Sequence, residues 1–179
     1  MPAPAPSYRD LATGSRAARK RVFDAGAAPE IAMITDWEFR GWNTAWIATP
    51  LRIRKFVKSF FAEGPHPYGC NTPAEQNGLD EDWRAKPSEQ APKRFGFYSV
   101  EPPGPGPHPN AALLDYSQGR NGLLQPARFL RDYLVRVADS DDLLLGKAYL
   151  ALGPLRLPVS YFVLERRRPL PDEPRLPRD

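Results

Sequence analysis

The chain has 179 residues, 41% of them hydrophobic, and a formal net charge of +4. That length suits one domain with a sizeable core, and the charge is too modest for a nucleic-acid-binding surface. A single cysteine, Cys70, excludes an internal disulfide framework, and no apolar run reaches the roughly 18–20 residues that span a bilayer. With no secretory leader visible at the start, the composition reads as a cytoplasmic protein without a transmembrane segment.

Residues 1–6 read as an extended, disordered tail. Ser7-Tyr-Arg-Asp10 has the spacing of a helix capping box, and Leu11, Ala18, Val22 and Ala25 recur at helical intervals until Gly26 and Pro29 stop the pattern. Gly14 is an unfavourable residue within this helix. Trp37–Thr44 reads as the first strand, with Trp37, Phe39, Gly41 and Asn43 on one face and Glu38, Arg40, Trp42 and Thr44 on the other. Trp46–Pro50 reads as a turn. Ile53–Phe61 carries two patterns. Helical spacing puts Ile53, Phe56, Val57, Phe60 and Phe61 on one stripe, whereas strand alternation puts Phe56, Lys58 and Phe60 on one face.

Residues 65–92 are polar and proline-rich, a long excursion with one short strand near Tyr68–Thr72. Strands follow at Arg94–Glu101, Ala111–Tyr116 and Phe129–Val137. Two more, at Asp142–Leu152 and Val159–Arg166, flank a Gly153-Pro154 turn. Everything after Arg168 reads as a disordered Pro/Arg-rich tail. An antiparallel run of this kind hides its edges best by closing into a barrel. The expected fold is therefore mainly β: one domain over residues 7–168, an antiparallel meander closed into a barrel of about seven to nine strands, with an N-terminal helix.

Four stretches carry a resemblance: residues 24–29 (Asp-Ala-Gly-Ala-Ala-Pro), Trp37 with Gly41-Trp42, residues 144–147 (Leu-Leu-Gly-Lys) and residues 161–166 (Tyr-Phe-Val-Leu-Glu-Arg). In this order the chain resembles the lipocalin-like (calycin) barrels, and more narrowly the uncharacterised bacterial proteins named for a Gly-x-Trp-x-Gly motif. Thr35 stands where that motif has its first glycine. The resemblance implies a small hydrophobic or amphipathic molecule bound inside the barrel and no known reaction. It also implies structural closure by Trp37 packed under an arginine of the last strand, Arg166 or Arg167.

Candidate ligand-binding residues are the tyrosines Tyr98, Tyr133, Tyr149 and Tyr161, whose hydroxyls suit a polar ligand head, and Lys147. Both faces of the Lys147 strand are apolar, so the lysine either marks the outer face or points its ammonium at a ligand. An alternative is a barrel enzyme, of isomerase or cyclase type, using Lys147 or Asp115 as acid or base. Another is a protein interaction module built on the long loop or on the basic cluster Arg52, Arg54, Lys55 and Lys58, which otherwise reads as a solvated helix face. His66 and His108 sit between prolines without converging ligands, so no metal and no cofactor is expected. Cys70 reads as an inert thiol.

Overall fold

The computed structural model describes residues 4–45, 53–122, 124–171, 174, 176 and 177. The first three residues of the expected N-terminal tail, the expected turn at Trp46–Pro50, and Arg52 lie outside these. Three helices, α1 (Tyr8–Thr13), α2 (Arg16–Ala25) and α3 (Ile31–Ile34), precede eight strands. These are β1 (Trp37–Asn43), β2 (Lys55–Glu63), β3 (His66–Pro73), β4 (Phe95–Glu101), β5 (Ala112–Asp115), β6 (Leu130–Val137), β7 (Ser140–Leu152) and β8 (Leu155–Pro169). Each strand pairs antiparallel with the next, and β8 returns to β1, so the sheet is a closed eight-stranded meander. No helix among the described residues is long and apolar enough to cross a membrane.

The local signals act as their chemistry dictates. The Ser7–Asp10 capping box forms reciprocally at the start of α1. Gly14 caps α1, and Ser15 caps α2 by accepting from the Ala18 N–H, so the expected single helix is two. The ambiguous segment at Ile53–Phe61 is strand. Pairing with both β1 and β3 satisfies its backbone groups on two sides, and alternation wins over the helical stripe.

Two apolar layers result. Inside the barrel lie Phe39, Phe56, Phe60, Tyr98, Leu114, Leu134, Leu144 and Phe162, and Ile34 of α3 packs with them. Outside, Tyr8, Leu11 and Phe23 of α1 and α2 cover Trp42, Val57, Val135, Leu145, Tyr161 and Val163. This explains why β7 is apolar on both faces: one lines the barrel and the other lies under helix.

Described residues of the C-terminal segment pack on the barrel. Leu176 is buried against Phe61, Cys70 and Phe97, its N–H donates to Glu63, and the Leu170 N–H donates to the Asp36 carbonyl. Outward apolar side chains on β2, β3 and β4 need cover, and this segment supplies it.

Interior rings are accommodated by inward glycines on neighbouring strands. The rings of Phe56, Tyr98 and Phe162 lie over Gly41, Gly69 and Gly146. A Cβ on Gly146 would stand 2.0 Å from the Phe162 ring. Gly146→Ala is therefore expected to destabilise the fold by about 1–3 kcal/mol through overpacking. Urea unfolding with an unchanged m-value checks it.

The arginine run ending β8 is sorted by a bulge. Phe39 pairs with Arg166 but Glu38 pairs with Arg168. Arg166 lies 4.3 Å from the Trp37 ring centroid, and its guanidinium donates to the Met33 carbonyl of α3. Arg167 and Arg168 both reach the buried Glu38 and also Glu89. This cation–π and ion-pair cluster sits at the α3 end of the barrel.

Candidate functional site

At the end of the barrel away from α3, a partly open cavity of about 80 Å³ remains. Its wall is formed by Phe56, Phe95, Leu130, Ala148, Val159 and Phe162, with Pro126 and Ala127 from a 3₁₀ turn (Pro126–Phe129). Set into this apolar wall are Lys58, Asn71, Tyr116, Asp132 and Ser160.

Strand register places these groups. Lys58 pairs with Asn71 across β2 and β3, and Asp132, Ala148 and Ser160 form one row across β6, β7 and β8. Lys58 is 1% and Asp132 4% exposed, so both charges lie out of solvent. The Lys58 ammonium donates to Tyr116 Oη (2.7 Å), Asn71 Oδ1 (2.9 Å) and Asp132 Oδ2 (3.4 Å), using its three protons. Tyr116 in turn donates to Asp132 Oδ2 at 2.8 Å. The ammonium also lies 4.4 Å from the Tyr98 ring centroid. Asn71 Nδ2 donates to the Gly96 carbonyl and to Tyr116 Oη.

Burial drives the titration of this cluster. It pushes the Lys58 ammonium down and the Asp132 carboxyl up, each countered by the other's charge, and it pushes the Tyr116 and Tyr98 phenols well up. Three acceptors around one ammonium match the charged form of the pair.

The structure divides the five ligand residues expected from the sequence. Tyr98 is inside, beneath the lysine, with its hydroxyl donating to the Ser59 carbonyl. Tyr133, Tyr149 and Tyr161 belong to the outer layer, packed with Phe23 of α2. Lys147 is beside them, 5.8 Å from the Phe23 ring and 5.2 Å from that of Tyr149. This placement has a simple cause: both faces of β7 are apolar, and the helices cover the face that carries Lys147. Asp115, the other acid–base candidate, is engaged by Arg131 at 3.1 Å and by Ser117.

The basic cluster is corrected. Lys55 and Lys58 are buried rather than solvated, and Arg54 lies 4.9 Å from the Trp42 ring. One signal in the sequence marked the missed pair. Lys58 alternates with Phe56 and Phe60, and Asp132 with Leu130 and Leu134, so each charge interrupts an otherwise apolar strand face.

Cys70 is fully buried, and burial pushes its thiol up to about 12. Among the described residues no three His, Cys, Asp or Glu side chains are grouped to hold a metal ion.

The outer layer contains a half-buried imidazole, that of His108. His108 Nε2 shares a hydrogen bond with the Tyr149 hydroxyl at 2.7 Å and faces Lys147 at 3.5 Å. Burial, then Lys147 and Lys20, hold the imidazole below its ordinary value, against the pull of Asp24. Protonation is thus easier in the unfolded chain. The stabilisation is complete above the ordinary value of about 6.5 and is lost as pH falls below it. The melting temperature is expected to drop as pH is lowered from about 7 to 5. In His108→Gln that drop should be smaller.

Compared with known proteins, the chain matches no family model, no curated protein and no solved structure.

Proposed function

We propose that this chain is a lipocalin-like binding barrel that holds one small molecule with an apolar body and a single polar end. One observation carries the reading: the cavity wall is aromatic and aliphatic except for the Lys58–Asn71–Tyr116–Asp132 cluster, Ser160, and Asn43 at the mouth, whose Nδ2 donates to the Ile53 carbonyl. Apolar walls with a few convergent polar groups are the general form of a small-molecule site. The closed meander and the Arg166–Trp37 packing support the family resemblance. The polar cluster is held mostly by its own hydrogen bonds, as a preorganised site requires.

Native mass spectrometry of the purified protein, followed by organic extraction, tests the reading. A stoichiometric adduct that disappears in Ala148→Leu, which fills the cavity, supports it. No adduct, together with no change in melting temperature on adding toluene or phenol, overturns it.

A second reading, acid–base catalysis in the same cavity, is favoured by one specific feature. Lys58 and Asp132 place a buried acid and base within one contact of each other, with Tyr116 between them. Under that reading the working groups are these, in place of Lys147 and Asp115.

A further inference from the structure

Resting on the cavity-binding reading, the geometry points to a ligand whose polar end is a neutral hydrogen-bond donor, a hydroxyl or an N–H, and not a carboxylate or other anion. The argument is a count of donors and acceptors around the cavity. Every proton of the Lys58 ammonium already has an acceptor, and the Tyr116 hydroxyl proton goes to Asp132 Oδ2. Both Asn71 Nδ2 contacts are likewise internal to the protein. The cluster therefore offers no spare proton to an anion, and the lysine charge is already countered by Asp132.

What remains open is one carboxylate acceptor and one hydroxyl that can donate or accept. Asp132 and Ser160 line the cavity, and Asp132 Oδ1 and Ser160 Oγ are buried with no hydrogen-bond partner among the described residues. A buried carboxylate oxygen left without a donor is costly, so the group that completes this wall must bring a proton.

The register shows where that group sits. Asp132 and Ser160 flank Ala148 in one row. Adjacent strands lie about 4.8 Å apart, so the two Cα atoms are separated by roughly 9–10 Å. After the side chains reach inward, the gap over the Ala148 methyl is about two hydrogen bonds wide. A single hydroxyl placed there donates to Asp132 Oδ1 and accepts the Ser160 hydroxyl proton. A carboxylate in the same slot sets its lone pairs against those of Asp132, and an ammonium there adjoins the Lys58 charge.

Phenol, toluene and benzoate are matched probes of this slot: similar rings bearing a hydroxyl, a methyl and an anion. Their affinities are measured by NMR titration at pH 7 on the wild-type protein and on Ser160→Ala. Phenol is expected to bind about tenfold or more tightly than benzoate. Ser160→Ala is expected to weaken phenol several-fold while leaving toluene unchanged. Benzoate equal to or tighter than phenol overturns the inference alone. So does a phenol-to-toluene ratio that Ser160→Ala does not alter, which is the result if ordered water satisfies both oxygens and stays. Failure of all three probes to bind the wild-type cavity overturns the binding reading and this inference with it.

Discussion

Asp132→Ala is expected to lower the unfolding free energy by about 3–5 kcal/mol, among the largest losses any single substitution in this barrel should produce. The cause is the cation left behind. Lys58 is 1% exposed, and removing Asp132 takes away its only anionic partner among the described contacts, while Tyr116 loses the acceptor for its proton. Coulomb attraction inside a barrel does not exceed the cost of burying both charges by much, so the pair itself adds little net stability. The double variant Lys58→Met/Asp132→Leu should therefore lie much closer to wild type than Asp132→Ala. Urea unfolding of wild type, Lys58→Met, Asp132→Leu and the double variant in a double-mutant cycle, with Asp132→Ala measured beside them, reads this directly. A cost below about 1 kcal/mol for Asp132→Ala would show that the ammonium is not held as a buried charge.

Lys55→Met is expected to release the long excursion between β3 and β4. Lys55 is fully buried, and its ammonium donates to Asn77 Oδ1 and to the carbonyls of Gly78 (2.9 Å), Glu81 (2.9 Å) and Asp82 (3.1 Å). The same ammonium lies 3.7 Å from the Trp83 ring centroid. Gln76 adds bonds to the Lys55 backbone on both sides. The segment is also tied to the barrel by Trp83, whose Nε1 donates to the Gly41 carbonyl, and by Glu89 with Arg167 and Arg168, while the bridges Ala74 with Ala85 and Pro87 with Pro92 lie within the segment itself. Methionine keeps the length and apolar stem of the lysine but none of its donors, so several acceptors lose their proton at once. With each costing about 1–3 kcal/mol if it stays buried, relief comes from opening the segment to water. Amide exchange between residues 75 and 92 should quicken by about 100-fold or more, while the centres of β6, β7 and β8 keep their protection. Equal loss of protection in both regions would mean that Lys55 supports the barrel as a whole and not the excursion.

Much of the fold was legible in the residues because the signals were local. Alternation over 4–15 residues set off the strands, Gly and Pro marked their ends, and Ser7 and Asp10 announced the first helix. Closure followed from the general cost of leaving edges open. What the sequence by itself determined was thus the element order and the antiparallel barrel. Only the tertiary structure decided which face of each strand looks inward. Alternation assigns residues to two faces but not a face to the interior, and here both are apolar, because α1, α2 and the segment around Leu176 cover the outside. That choice of face sent Tyr133, Lys147, Tyr149 and Tyr161 outward under α2 and brought Lys58, Tyr116, Asp132 and Ser160 together around the cavity. These four lie on four different strands or strand ends, and no spacing along the chain encodes their meeting. The ring closure and its register do, by setting residues 58, 116, 132 and 160 around one cavity.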